Sequence, residues 1–408
     1  MEAFIKESAD NSGAIGAGVG MIDQGKTQYF YYGKKSLQND EPISEDTIFE
    51  IGSITKVFTT LILKDMVANG NVQLDEPIET YLSGIKIPKF AKKKITLRHL
   101  ATHLSGLPSL PNNFNPKNPM NPYADYSIDD LYHFLINYNL PRAPGESFEY
   151  SNVGMGLLGH ILSKKAGVDY KTLVSERICE KLGMKNTGIT LPTEMEKHFA
   201  KGYHQMQEIP HWDIPTLAGA GALRSNIKDM TKFLAACMSG DIGLGWMISH
   251  SSHADVMWHN GGTGGFRAFL GFNPKTQKGI VVLSNSSEAW PDSFSLSILD
   301  PETYPKPAVN QTLAQDLDYL TRFEGAYKSA NNEQKMGFVI KVRNLEIVAS
   351  VPGGELNLLP ESFGLFSLKG TAGQKLRFIM DDTGTITKAQ METFNGSIIT
   401  EFLHESKR

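Results

Sequence analysis

FEIGSITKVFTTLILKDMVANG (Phe49–Gly70) places a serine, Ser53, three residues before a lysine, Lys56, at the head of a long apolar period. Ile54, Val57, Phe58, Leu61, Ile62 and Met66 recur at helical spacing, and Asn69-Gly70 is a stop signal. Residues three apart on a helix share a face, so Ser53 Oγ and Lys56 Nζ are placed to meet. The pairing has chemical meaning because a hydroxyl is a poor nucleophile until a neighbouring base takes its proton. A helix N-terminus disfavours a nearby positive charge, as does burial, and both push a lysine towards its neutral, basic form. The Ser53 N–H at such a position can also face a developing oxyanion.

Spacing alone is not selective, because Ser-x-x-Lys also occurs at Ser83–Lys86 and Ser225–Lys228. The first of these sits in YLSGIKIPKF, a loop broken by Gly and Pro, with no helix to hold the pair. The second opens the helix SNIKDMTKFL, where Ser225 is expected as the N-cap and Lys228 as an exposed partner of acidic neighbours.

Two further segments carry matching chemistry. GESFEYSNVGMGLLGHIL holds Tyr150-Ser151-Asn152 just before a helix. A tyrosine held near cations gives up its phenolic proton more easily and can shuttle it, while Asn152 offers a carbonyl and an amide to a substrate amide or to the lysine. WHNGGTGGF places His259, Gly261 and Gly262 at the opening of a glycine-rich strand. Glycines inside a strand mark the close approach of another backbone or a ligand. The Gly262 N–H would then pair with that of Ser53 as an oxyanion donor, and Arg267 on the same strand could supply a fixed charge.

The chain has 408 residues, 40% hydrophobic and 21% charged, which points to one large domain and a smaller one. A formal net charge of −4 gives no electrostatic case for nucleic acid. No apolar run approaches the ~20 residues of a membrane span. No secretory signal is visible, and both a cytoplasmic and a processed periplasmic or secreted location stay open. Cys179 and Cys237 read as buried thiols, with one disulfide left open, and no zinc-type cluster is present, so no metal or other cofactor is expected.

Gly16–Tyr32 reads as a hairpin and DTIFEIG as a strand entering the Ser53 helix. Helices are expected at Leu97–Leu104, Ile128–Tyr138, Val153–Ala166, Tyr170–Leu182 and Ile227–Ser239, and two strands across VMWHNGGTGGFRAFLGFNP and GIVVLSNSS. Leu107–Tyr126, rich in Pro and Asn, is expected to be an irregular cleft wall. Early and late strands around many helices suggest an α/β sandwich, an antiparallel sheet flanked by helices. After Gly325, short alternating runs indicate a small all-β barrel. The expected division is residues 1–310, a linker at 311–321 and a barrel at 322–408.

In this order, Ser-x-x-Lys, Tyr-x-Asn and His-x-Gly make the chain resemble the serine β-lactamase and penicillin-binding-protein superfamily. It looks closest to the class C β-lactamase-like branch, with its D-aminopeptidases, D-Ala-D-Ala carboxypeptidase-like proteins and carboxylesterases. The likeness covers about residues 15–300, and the C-terminal part resembles a lipocalin-like barrel found on some peptidase-like members. It implies a β-lactamase/DD-peptidase-like fold in which Ser53 is the acylated nucleophile, Lys56 its base and Tyr150 the proton relay. Asn152, Gly261 and Gly262 would bind substrate. His259 stands where many members carry lysine. A histidine titrates near ~6.5, so a carboxylate anchor there would be pH-dependent.

That difference favours peptidase-like or esterase-like chemistry on a small-molecule or short-peptide substrate. An efficient class C-like β-lactamase, or a slowly deacylating penicillin-binding scaffold or sensor, is the alternative, and homo-oligomerisation is left open. No Gly-x-Ser-x-Gly elbow supports an α/β-hydrolase.

Overall fold

The computed structural model describes residues 1–190, 193–251, 255–304, 311–330, 337–352, 354–362, 364–369, 371, 374–381, 385–393 and 398–405. It separates into two compact units, residues 1–9 with 13–291 and residues 10–12 with 292–408. The stretch expected as a linker, 311–321, carries the short helices Gln311–Ala314 and Leu317–Thr321, and Tyr319 and Leu320 are buried in the second unit's core ahead of the first barrel strand at Gly325.

The first unit is built on a hairpin, β1 (Gly16–Asp23) and β2 (Lys26–Gly33), whose turn residues Gln24 and Gly25 both have positive φ. A two-residue loop of that kind matches the twist of paired strands. Short strands β3 (Ile48–Glu50), β4 (Gly202–His204), β5 (Gln207–Ile209) and β6 (Arg224–Asn226) lie outside the main sheet. That sheet is completed by β7 (Met247–Ser249), β8 (Val256–Gly262), β9 (Arg267–Asn273) and β10 (Lys278–Ser284). It is antiparallel throughout, in the order β2-β1-β10-β9-β8-β7. β1 therefore pairs with the late strand β10, Val19 opposite Val282.

Glycine governs how closely the helical layer can approach. A Cβ at Gly20 would lie 2.2 Å from Thr231 Oγ1, and one at Gly18 3.3 Å from Ile227 Cβ. The helix Ile227–Met238 rests on β1 and β10 because those positions carry no side chain. On its other side Phe233 stacks on Phe58 of the helix Thr55–Ala68, with ring centroids 3.9 Å apart. Thr55–Ala68 is buried on nearly all sides, Lys56 included, which explains why its apolar period is so full.

Most expected elements are present: Leu97–Ala101, Ile128–Asn137, Asn152–Ala166 and the irregular 107–126 stretch. The Tyr170–Leu182 segment contains a π-helical turn at Ser175–Cys179. The helix Glu2–Ser12 was not expected. The N-cap of Ile227–Met238 is Asn226, whose side chain accepts from Asp229 N–H, and not Ser225. Ser225 is held in β6 opposite Phe49, with its hydroxyl bonded to Thr187 Oγ1 at 2.7 Å. Lys228 pairs with Glu45 as expected. Cys179 and Cys237 are both buried free thiols.

The second unit holds β11 (Gly325–Ser329), β12 (Gly337–Arg343), β13 (Glu346–Val351), β14 (Gly354–Ser362), β15 (Leu365–Leu368), β16 (Lys375–Met380), β17 (Ile386–Glu392) and β18 (Ile398–Glu405). Neighbours pair in sequence order and β18 returns to β11, closing the barrel. Its core is aromatic, with Tyr327, Phe338, Phe366, Phe378 and Phe402 joined by Tyr319 and Phe323. Among the described residues no helix is long and apolar enough to cross a membrane.

All four tryptophans (Trp212, Trp246, Trp258 and Trp290) lie in the first unit, so their fluorescence reports on it alone. Phe233→Ala is expected to lower that unit's stability by about 3–5 kcal/mol. Denaturant unfolding followed by tryptophan emission checks this; a loss below about 1 kcal/mol would mean the Phe58 stack does not anchor the helix.

Candidate active site

Ser53 sits in a short 3-10 turn, Gly52–Ile54, that leads from β3 into the Thr55–Ala68 helix. The turn packs backbone to backbone against the end of β8. A Cβ on Gly261 would fall 1.9 Å from Ile51 O and 3.1 Å from Ser53 N, and one on Gly52 2.8 Å from Gly262 N. Gly261 on the strand and Gly52 in the turn are thus needed for the two to touch.

Lys56 Nζ lies 2.8 Å from Ser53 Oγ and donates to Ala220 O at 2.7 Å. The side chain is wholly buried, and that desolvation pulls its pKa well below the usual lysine value. The neutral amine keeps a lone pair that can take the serine proton. Ser83 and Lys86 are both exposed in a loop.

Tyr150 stands over the same pair, its ring centroid 4.9 Å from Lys56 Nζ and its phenol near enough to Ser53 for their hydrogen bond to lower its pKa. Burial outweighs that bond and the nearby Arg267, so the phenol is raised to about 12. Instead of the expected acidified tyrosine the site holds one whose pKa is raised, because burial of the phenol outweighs the groups that lower it.

Ser151 is the N-cap of the Asn152–Ala166 helix, its hydroxyl accepting from Gly154 N–H at 2.8 Å. This leaves Asn152 on the wall of the cleft, where it lines the same space as Ser53 and Gly262. Tyr123, Trp212, Ile214 and Leu217 form the apolar side of that cleft.

His259, on β8, is only 1% exposed. Its Nδ1 donates to Asn260 O at 2.6 Å and its Nε2 has no hydrogen-bond partner. Burial, followed by the proximity of Lys56, pushes the pKa down to about 3. The expectation of an anchor titrating near neutrality is thus corrected to an uncharged ring. Arg267 pairs across the strands with Gly262, and a Cβ on that glycine would meet its Nη1 at 3.3 Å. Its effect reaches Tyr150.

Two groups at the site were not singled out in the sequence. Glu50, on β3, is buried and accepts from the Trp212 N–H at 2.7 Å, with Arg224 Nη2 3.9 Å away. Burial raises its pKa to about 7. Its Oε2 completes no hydrogen bond, although the Thr263 hydroxyl is near enough to lower the pKa. His103 stacks on Tyr150, with centroids 4.6 Å apart. Glu50 was visible as the residue three before Ser53, but nothing local marked it as buried; His103 is a lone histidine in a loop.

Residues 1–299 match the family model described as Beta-lactamase. The chain is 27% identical to a beta-lactamase of Escherichia coli (strain K12) over 331 residues, 67% of this chain and 84% of that one. It is 25% identical to the D-alanyl-D-alanine-carboxypeptidase/endopeptidase AmpH of the same organism over 314 residues, 68% of this chain and 80% of that one. The octameric penicillin-binding protein homologue from Pyrococcus abyssi shares the fold, with a TM-score of 0.68 at 23% identity over 98% of each chain. With a match over so much of its length, the chain belongs to the beta-lactamase family and is a serine hydrolase of the β-lactamase/DD-peptidase kind.

Proposed function

We propose that the protein hydrolyses amide or ester bonds of small molecules or short peptides through an acyl-enzyme on Ser53, in the manner of a peptidase or carboxylesterase. Ser53 Oγ attacks the carbonyl carbon while its proton passes to Lys56 Nζ. Collapse of the tetrahedral adduct breaks the bond to the leaving group, which receives a proton through Tyr150. The Ser53 and Gly262 N–H groups would hold the oxyanion, and Asn152 the substrate amide. Water then attacks the acyl carbon, releasing the acid and restoring the serine. The observation that supports this most is the 2.8 Å approach of a fully buried Lys56 amine to Ser53 Oγ.

The electrostatics of the far end favour this reading over an efficient β-lactamase. An uncharged His259 gives a substrate carboxylate no cation, and Arg267 lies beside Gly262 as the fixed charge that could take that part. Intact-mass analysis with a penicillin, a D-alanyl peptide and p-nitrophenyl butyrate tests the substrate class. The expected result is adducts that turn over with ester or peptide; rapid release of a hydrolysed penicillin would favour the β-lactamase alternative.

Ser53→Ala is expected to abolish turnover of p-nitrophenyl butyrate, while Ser83→Ala and Ser225→Ala keep most of it. Steady-state rates on folded protein decide this, and substantial activity in Ser53→Ala would refute the nucleophile.

The pH profile follows from Lys56. Its working form is the neutral amine, so activity falls as pH drops through the lysine's pKa and is full above it. Because burial lowers that pKa, the acid limb should lie well below the ordinary lysine range. A profile still climbing at about pH 10 would contradict a neutral amine in the free enzyme.

For substrates bearing a carboxylate, affinity is expected to be flat between about pH 5 and 8, since a histidine held near 3 does not titrate there. Arg267→Gln should raise KM for those substrates and not for neutral esters. A KM rising through the histidine range in the wild type but not in His259→Gln would restore His259 as the anchor, since Glu50 also titrates near 7.

A further inference from the structure

The stretch THLSGLPS (Thr102–Ser109) accounts for the backbone of the Tyr150 segment almost group by group. His103 O accepts from Glu149 N–H at 2.9 Å, and His103 Nδ1 from Ser151 N–H at 3.1 Å. Pro108 O accepts from the Ser151 hydroxyl at 2.7 Å, and Ser109 O from Asn152 N–H at 3.1 Å. His103 thus binds the chain on both sides of Tyr150 while its ring, 5% exposed, lies against the tyrosine ring at 29°.

His103 also holds a conformation that does not suit it. It follows the Leu97–Ala101 helix with φ +59, the left-handed region where glycine is the default. A non-glycine residue stays there only where its surroundings over-determine it, and such residues cluster at functional sites. A glycine would relieve the backbone and lose both the ring and its acceptor nitrogen.

We propose that His103 is a positioning residue for the proton relay: through Nδ1 and its ring face it fixes the direction of the Tyr150 phenol towards Ser53 and the leaving group. Accepting the Ser151 N–H requires a lone pair on Nδ1, so the proton of the neutral ring sits on Nε2. Burial and the neighbouring Lys56 hold the ring's pKa near 4, which keeps that lone pair at neutral pH. The proposal rests on Tyr150 being the relay, and its test separates the two.

Single-turnover acylation is measured with phenyl butyrates whose leaving groups range from p-nitrophenol to unsubstituted phenol, in His103→Gly, His103→Asn and Tyr150→Phe. A relay matters most for a basic leaving group, so losing it steepens the dependence of rate on leaving-group pKa. His103→Gly is expected to fold with an unchanged or raised Tm yet to acylate phenyl butyrate about 100-fold more slowly, with a much smaller loss on the nitrophenyl ester. His103→Asn tolerates the same φ and offers Oδ1 to the Ser151 N–H, so it should recover part of the rate.

A wild-type slope in His103→Gly, or an equal loss on every ester, overturns the positioning role when Tyr150→Phe is steep. If Tyr150→Phe itself shows no steepening, the relay reading fails and the proposal falls with it.

Discussion

A lysine amine sealed away from water is the constraint around which this molecule is organised. Holding an ammonium in such a place costs several kcal/mol after all relaxation, so burial pulls the Lys56 pKa well below the usual lysine value. The seal needs a helix enclosed on nearly every side. Gly18 and Gly20 let Ile227–Met238 close onto the sheet, the Phe58–Phe233 stack fills the space behind, and Gly52 and Gly261 let the Ser53 turn and β8 meet.

The same logic explains how a proton moves through the site. His103 and His259 are both depressed by burial and further by Lys56, so a proton on Lys56 opposes protonation of either ring. Tyr150 is raised and stays a phenol. In the proposed mechanism a proton taken from Ser53 enters a cluster that resists holding it. An ammonium formed there is a better acid than an ordinary lysine, and handing the proton on through the phenol to a leaving group would return the cluster to its starting state. Acidity in this site is created by the reaction and removed by it.

Much of this was legible in the sequence, for a physical reason. Ser53, Lys56, Tyr150 and Asn152 belong to short segments whose spacing chemistry dictates, and the central helix declares itself by its period. The rest depends on partners far along the chain. The charge of His259 could not be read because it is set by burial rather than residue type. Ser225 and Asn226 are equally good caps, and pairing of β6 with β3 is what commits Ser225 to the extended strand. The contact that defines His103 lies 48 residues away in sequence. The three-residue strands β3 to β7 carry too few residues to show any alternation.

Glu50 extends the argument to the cleft wall. A carboxylate three residues before the nucleophile would hold Lys56 protonated if the two faced one another across a dry site. It faces away instead: Oε1 is bound by the Trp212 backbone, with Arg224 beyond and Thr263 alongside. Burial raises its pKa to about 7, so even this acid is partly neutral under ordinary conditions. The fold thus separates its charges by role. In the proposed mechanism the groups around Ser53 work uncharged so that the nucleophile can be made, while the Arg267 guanidinium beside Gly262 is the group proposed to meet a substrate's own charge.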